Sequence, residues 1–322
     1  MSSVITFITS AVRLGTTFLF GSTGETITEK AGHLNLGTPG VMCVGAVSGC
    51  LGATLYVNAA AEVDSFLAVL IPLLCALVGS GLVGLLYSFL TVTLRSNQNV
   101  TGLMITTFGV GLAKFVKGAL GTSADAAIST VSSCFRFSLP FAGSLGWFGE
   151  IFLSYGILVY LAILVALATS AFFRFTRRGL YLRAVGENPA TADAAGINIT
   201  AYRYTSTVIG CAVSGLGGLS FIFDSVGAWD SGLVSTEALG WLAVALVIFT
   251  LWNPTIGIFG SVVFAALYIL PNYVSVGFAV RDLISAVPYV VTIIVLIVTS
   301  MRKKRENQPP ANLGLNYFRE DR

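Results

Sequence analysis

The chain has 322 residues, of which 55% are hydrophobic and 10% charged, with a formal net charge of +3. A soluble domain carries about a quarter charged residues, so this composition excludes a globule with an ordinary solvated surface and requires lipid over much of the exterior. So slight a charge balance does not suggest a nucleic-acid partner.

The first apolar segment, Val4 to Gly24, is interrupted by Arg13. A central arginine costs about 2.5–3.5 kcal/mol on insertion scales. The segment either crosses with Arg13 facing protein or lies in the interface. Arg13 also stands where a cleavable signal peptide would have its uncharged core, so none is expected. Charge-free stretches then mark spans at Leu36–Val57, Phe66–Leu94, Ser96–Ala113 (continuing toward Gly121 past Lys114 and Lys117), Ile151–Phe173 and Tyr204–Phe223. The run Ala238–Val280 is long enough for two, and Asn253-Pro254 inside it is a turn signal. It therefore splits into 238–252 and 255–271. Leu283–Met301 is the last span. With about 20 residues needed per crossing, the sequence predicts an all-α polytopic transmembrane helix bundle of about eight or nine spans. It forms a single transmembrane domain over 1–301, followed by a polar cytoplasmic tail over 302–322.

Orientation follows the positive-inside rule. Arg174, Arg177, Arg178, Arg183 and Arg203 crowd one connection, and Arg302, Lys303, Lys304 and Arg305 follow the last span. Four predicted spans separate the two clusters, an even number, so both lie in the cytoplasm. Apart from Arg13 and the marginal Lys114, Lys117 and Glu150, the predicted spans are uncharged, which disfavours ion-coupled transport. Five scattered cysteines, Cys43, Cys50, Cys75, Cys134 and Cys211, contain no Cys-x-x-Cys and read as small core hydrophobes. The single histidine, His33, has no cysteine or carboxylate at ligand spacing, so no metal site is expected. Pairing His33 with Ser48 or Ser214 would be a poor basis for an intramembrane protease.

Three polar segments can carry function. In the cytoplasmic connection, Asn188 is a good N-cap, Pro189 fits the first helical position and Gly196 a C-terminal stop, which predicts a two-turn helix over 189–195. Alone it would be marginal. It either rests on its own bundle or docks a cytoplasmic partner. In the second segment, Thr38-Pro39 looks like an N-cap followed by proline, with Asn35 and Gly37 on irregular backbone leading in. Such backbone is tolerated where protein buries it or where it lines a wet cavity. The third segment has three successive carboxamides, Asn97, Gln98 and Asn99, followed by Thr101. These suit either a neutral polar ligand or an ordinary loop.

These segments resemble those of the permease subunits of bacterial ABC importers, in the group that includes nucleoside, ribose and branched-chain amino-acid systems. The run Leu182-Arg-Ala-Val-Gly-Glu-Asn-Pro through Ala192-Asp-Ala-Ala-Gly-Ile-Asn carries the resemblance, with Glu29-Lys-Ala-Gly, Leu34-Asn-Leu-Gly, Asn97-Gln98, Thr101-Gly102 and Trp252-Asn-Pro in the same order. It covers about residues 25 to 300 and is closest to the shorter permease of purine nucleoside importers. Pro39-Gly40 departs from the family's Glu-Gly at that point.

The resemblance implies a multi-pass protein of the bacterial cell (inner) membrane that is not an enzyme. No Gly-Lys pair occurs, so a phosphate-cradling P-loop is lacking. ATP and Mg would bind partner ABC ATPase subunits. The other implied partners are a second permease, as homo- or heterodimer, and an extracytoplasmic substrate-binding protein that delivers a nucleoside. Ribose, another sugar or a branched-chain amino acid is the alternative cargo, and a secondary carrier the alternative class. The ATPase would engage Arg183, Gly186, Glu187, Asn188, Pro189, Ala192, Asp193, Gly196 and Ile197. Asn35, Gly37, Asn97, Gln98, Asn99 and Thr101 would line the substrate path.

Overall fold

The computed structural model describes residues 2–60, 62–121, 123–137, 146–274, 283–302 and 308–318. Lys303, Lys304 and Arg305 of the second basic cluster lie outside them.

The first apolar segment is one continuous helix, α1 (Ser2–Glu29). It is followed by α2 (Thr38–Ala59), α3 (Ser65–Ser88) running into a π-helical turn at Phe89–Thr93, and α4 (Gln98–Leu120). Two shorter helices, α5 (Ser123–Phe135) and α6 (Gly146–Phe152), precede α7 (Ile157–Phe175). Next come α8 (Arg177–Glu187), α9 (Pro189–Ala194) and α10 (Ile199–Ser220), which runs into a second π-helical turn at Phe221–Val226. The chain ends with α11 (Trp229–Phe249), α12 (Pro254–Tyr273) and α13 (Val287–Arg302). Among the described residues, seven helices are long and apolar enough to cross a membrane, and two shorter apolar segments, Ser235–Phe249 and Leu283–Val295, join them. The architecture is therefore an all-helical, multi-pass membrane bundle.

The observed helices differ from the charge-free stretches in instructive ways. α1 runs five residues past Gly24, and α10 starts five residues before Tyr204, so Glu25, Glu29 and Arg203 lie inside helices expected to be uncharged. Asp224 sits in the π turn that continues α10. Each is buried, so the absence of intramembrane charge cannot be used against ion coupling. The span expected over Ile151–Phe173 is broken at 153–156. Gly156 there passes so close to α5 that an added Cβ would lie 2.2 Å from the Phe135 carbonyl oxygen. Thr38 is not the cap of α2: Gly37 holds that position, and Thr38 Oγ1 turns instead to Glu25.

The connections 30–37, 94–97, 176–198 and 250–253 gather at one end of the bundle, with Lys30, Arg95, Arg174, Arg177, Arg178, Arg183 and Arg203. By the positive-inside rule this end is cytoplasmic. α1 then enters from the opposite side. Counting the two shorter apolar segments with the seven long helices among the described residues brings α13 back to the cytoplasmic side, where residues 308–318 lie.

α2 and α10 are buried along most of their length and, with α1, form the centre. Small residues make that possible. A Cβ at Gly45 of α2 would lie 2.4 Å from Gly215 Cα of α10, and one at Gly24 of α1 would lie 2.2 Å from the Gly210 carbonyl oxygen of α10. Large apolar side chains such as Leu74, Val78 and Leu82 of α3, Phe115 of α4, and Ile293 and Ile297 of α13 face outward, as lipid requires. All five cysteines are free, and Cys43, Cys50 and Cys211 are buried.

Because backbone opposes backbone at Gly45, Gly45→Val should overpack the α2–α10 contact and cost at least about 1–3 kcal/mol, read as a lower unfolding temperature in detergent. Gly111, with nothing within 4 Å of an added Cβ, should accept alanine without loss. Equal tolerance at both positions would contradict the observed helix contact.

Candidate functional site

At the cytoplasmic end, α1 turns into α2 through residues 30–37, which are irregular but largely buried. Glu25 holds this turn. Its carboxylate accepts from the Asn35 amide at 3.2 Å and from Thr38 Oγ1 at 2.5 Å. Asn35, 1% exposed, accepts in turn from the Gly37 amide at 2.9 Å and donates to Cys211 Sγ at 3.4 Å. One turn on, Glu29 accepts from Trp252 Nε1. Trp252 and Leu251 take left-handed backbone, φ 54° and 57°, to bring the indole there. His33 is fully buried, with Nδ1 2.7 Å from Thr207 Oγ1 and Nε2 2.7 Å from Thr91 Oγ1. Burial, reinforced by the Arg203 guanidinium, pushes its pKa down to about 3, so the ring is neutral. Both ring nitrogens and Ser214 Oγ, which donates to the Gly21 carbonyl, are engaged elsewhere, so no serine–histidine dyad forms.

The carboxamides complete this frame. The Asn97 side chain caps α4 by accepting from the Val100 amide at 3.2 Å. Gln98, 2% exposed, accepts from the Leu34 amide at 2.9 Å and donates to Asn316 Oδ1 at 3.1 Å and the Leu315 carbonyl at 3.3 Å. Thr101 Oγ1 donates to the Asn97 carbonyl at 2.8 Å. Asn99 is exposed. The sequence-predicted path residues therefore gather at the cytoplasmic end, and all but Asn99 are tied to their own chain.

The predicted cytoplasmic helix is present as α9. Asn188 Oδ1 accepts from the Thr191 amide at 3.1 Å, and Gly196, at φ 81°, ends it. Pro189 and Ala192 are buried, while Ala190, Thr191 and Ala194 are exposed to the cytoplasm. Ala192 packs with Val185 and Ile199, and Ile197 and Tyr317 lie against them. The preceding helix α8, not foreseen from sequence, carries exposed Arg183 and Glu187 and buried Gly186. A Cβ on Gly186 would lie 2.3 Å from the Lys30 carbonyl oxygen, so α8 seats directly on the α1–α2 turn.

The tail is not merely solvated. Residues 311–318 form a strap across this face. The Asn312 amide donates to the Gly186 carbonyl at 3.0 Å, and the Gly314 amide donates to the Gly32 carbonyl at 3.3 Å. Arg203 Nη2 donates to the Leu315 carbonyl at 3.3 Å, Asn316 Nδ2 to the Arg95 carbonyl at 2.8 Å, and Tyr317 Oη to Asp193 Oδ2 at 3.0 Å. One strap thus binds all three polar segments. Beside it opens a cavity of about 460 Å³ between α9, the first π turn and the start of α10.

Toward the opposite end lies a second polar cluster that sequence reading missed. Asp224 is fully buried, and among the described residues neither carboxylate oxygen has a hydrogen-bond partner. Arg136 Nε donates to the Asp224 carbonyl at 2.9 Å. Arg13 Nε and the hydroxyls of Tyr155, Ser132 and Ser225 are also buried without hydrogen-bond partners. Arg13 therefore faces protein. The missed signal was available: Asp224 directly follows the stretch taken as a span. Among the described residues no group of histidine, cysteine and carboxylate side chains could hold a metal ion.

The profile of the family described as branched-chain amino acid transport system, permease component, matches residues 7–296. The chain is 31% identical over 273 residues to TsgC13 of Haloferax volcanii, named for a glucose ABC transporter, with 83% of this chain and 77% of the relative covered. It is 28% identical over 309 residues to the nucleoside ABC transporter permease NupC of Lactococcus lactis, covering 94% of each. It is 30% identical over 245 residues to the guanosine ABC transporter permease NupQ of Bacillus subtilis, covering 75% and 73%. A solved inward-facing structure of a metal-chelate type ABC transporter shares the fold at a TM-score of 0.51 and 13% identity, over 91% of this chain and 85% of that one.

His33 supplies a pH test. With its pKa lowered to about 3 from 6.5, the unfolded chain binds the extra proton between those values. The His33 contribution is therefore constant above pH 6.5 and is lost as pH falls, by up to about 1.4 kcal/mol per pH unit. The stability difference between wild type and His33→Gln should be flat above pH 6.5 and shrink below it. A difference that grows with acidity would mean that the ring is charged in the fold.

Proposed function

The chain belongs to the family of branched-chain amino acid transport system permease components, as a membrane subunit of an ABC importer whose ATP is hydrolysed on a separate ATPase subunit, and from that premise we propose that it carries nucleosides. The observation that supports this most is the match to NupC over 94% of both chains, with NupQ as a second nucleoside-type relative. The glucose-named relative, at 31% identity, makes a sugar the competing cargo. A second permease and an extracytoplasmic binding protein complete the proposed complex.

In this reading α9 is the coupling helix. Its exposed small residues face the ATPase. Arg183 and Glu187 flank the contact, and Gly186, Asn188, Pro189, Ala192, Asp193, Gly196 and Ile197 hold the helix in place. Buried Pro189 and Ala192 and the Tyr317–Asp193 bond fasten α9 to α10 and the strap, so a push on α9 moves the start of a central helix rather than a loose loop. Asn35, Gly37, Asn97, Gln98 and Thr101 frame the cytoplasmic mouth of the path, with Asn99 exposed beside it. Selective release is favoured when the path offers hydrogen bonds without tight binding.

Two experiments test this. Proteoliposomes holding the complete importer should accumulate labelled guanosine or uridine in an ATP-dependent manner, unaffected by excess glucose. ATP-driven glucose uptake that nucleosides do not inhibit would replace the cargo assignment. Separately, exchanging residues 188–196 for a Gly-Ser linker should abolish co-purification of the ATPase while the chain still inserts. Retention of the ATPase would remove α9 from the coupling contact.

A further inference from the structure

The cavity beside the strap has the features of an anion site. It is lined by Thr91, Arg95, Asn198, Ile199, Thr200, Arg203, Asn316 and Tyr317 among others, and its volume of about 460 Å³ falls in the range of small-molecule sites, roughly 300–1,000 Å³. It lies at the start of α10, a helix of 22 residues. The first amides of a helix have no partner within it, and the aligned peptide dipoles favour negative charge there. At this end the Asn198 side chain accepts from the Ala201 amide, and the Asn198 carbonyl from the Tyr202 amide. The Ile199 and Thr200 amides remain, and both residues line the cavity.

A second, independent feature points the same way. Arg203 lines the cavity, is 3% exposed, and its Nε is buried without a hydrogen-bond partner. A guanidinium removed from water and incompletely bonded is costly unless an acceptor meets it. The same guanidinium's Nη2 donates to the Leu315 carbonyl of the strap, so its bonding is only partly met. Arg95 also lines the cavity, its Cζ 4.9 Å from the Phe318 ring centroid. The one lining carboxylate, Asp193, accepts from Tyr317 Oη. The space exceeds what a bare phosphate fills, and Tyr317 gives its wall an aromatic face.

We propose that this cavity binds a small organic phosphate of sugar-phosphate to mononucleotide size from the cytoplasm, its phosphate seated on the α10 amides between Arg203 and Arg95. Asp193, Gly196 and Ile197 of the α9 exit, Asn316 and Tyr317 of the strap, and the start of α10 all contribute walls. An occupant therefore joins the three parts that a moving α9 would shift.

The test uses the complete importer in nanodiscs, with the ATPase sites filled by a non-hydrolysable ATP analogue, and ribose 5-phosphate as the probe. Equilibrium dialysis should show a binding component that ribose lacks. Thr200→Glu, on an exposed lining residue, and Arg95→Gln should each weaken it at least tenfold without lowering the unfolding temperature. Arg203→Gln is less informative, because a buried side chain can fail for structural reasons. Binding that is absent, or identical in wild type and variants, would overturn the proposal. Inorganic phosphate binding as tightly as ribose 5-phosphate would overturn the organic ligand. A wild type that binds no phosphate, together with loss of the ATPase from both variants, would assign the cavity to an acidic side chain of the partner and overturn the site as proposed.

Discussion

The chain reversal between α1 and α2 is the constraint on which the cytoplasmic half of the structure depends. Eight residues of irregular backbone, 30–37, lie at the membrane edge and are largely removed from water. Each polar group there needs a protein partner. Glu25 meets the Asn35 amide and Thr38, Gln98 meets the Leu34 amide, and Tyr87 Oη donates to the Leu34 carbonyl. Once these partners are fixed, so are the start of α2, the cap of α4 and the approach of α3. Gly186 then seats α8 on the same turn, and the strap bonds to Gly186 and Gly32. The three polar segments thus converge on one backbone problem.

From that platform α10 leads through the bundle. Its first residues receive α9, Thr207 holds His33, and Gly210 and Gly215 let α1 and α2 approach to backbone contact. Ser214 and Ser220 then bond to the Gly21 carbonyl and Thr17 of α1. The helix ends in a π turn that carries Asp224 toward Arg136 and Arg13. π turns add a residue to the helical register and often mark functional segments. One rigid element therefore connects the cytoplasmic handle with the buried charges near the other face. Small residues bring its backbone against α1 and α2, and Leu216 and Leu219 fill the core beside them.

Sequence reading recovered what local chemistry encodes. Charge-free runs located the spans, Asn253-Pro254 divided the long run between α11 and α12, and Asn188, Pro189 and Gly196 bounded α9 within a residue. It failed where the partner is distant in the chain. Nothing local tells Gln98 that its acceptors lie more than 200 residues away, so its tie to the tail was not legible. The strap has no hydrophobic period, since main-chain bonds to Gly32 and Gly186 hold it, so the sequence showed only a polar tail. α8, with glycines at both 179 and 186, read as a connection. Helix ends were underestimated because a span was stopped at the first charge, whereas Glu25, Glu29 and Arg203 are buried by protein rather than lipid.

That last failure changes how intramembrane charge should be weighed in this fold. Charged groups within a bilayer are expensive, and their presence suggests ion coupling by default. Here they fall into two classes. Glu25 and Glu29 accept from the Asn35 amide, Thr38 and Trp252, so their bonding is accounted for by holding the turn and the 250–253 loop. Asp224 is different: it has no hydrogen bond to either oxygen, and Arg13 and Arg136 are the cations near enough to act on it. Attraction through a poorly solvated interior offsets part of its burial, but Coulomb attraction alone does not replace the missing donors. The distinction separates charge that builds the fold from charge the fold leaves unsatisfied. In a permease, where the chain performs no chemistry, the second kind marks where structure alone does not explain the sequence.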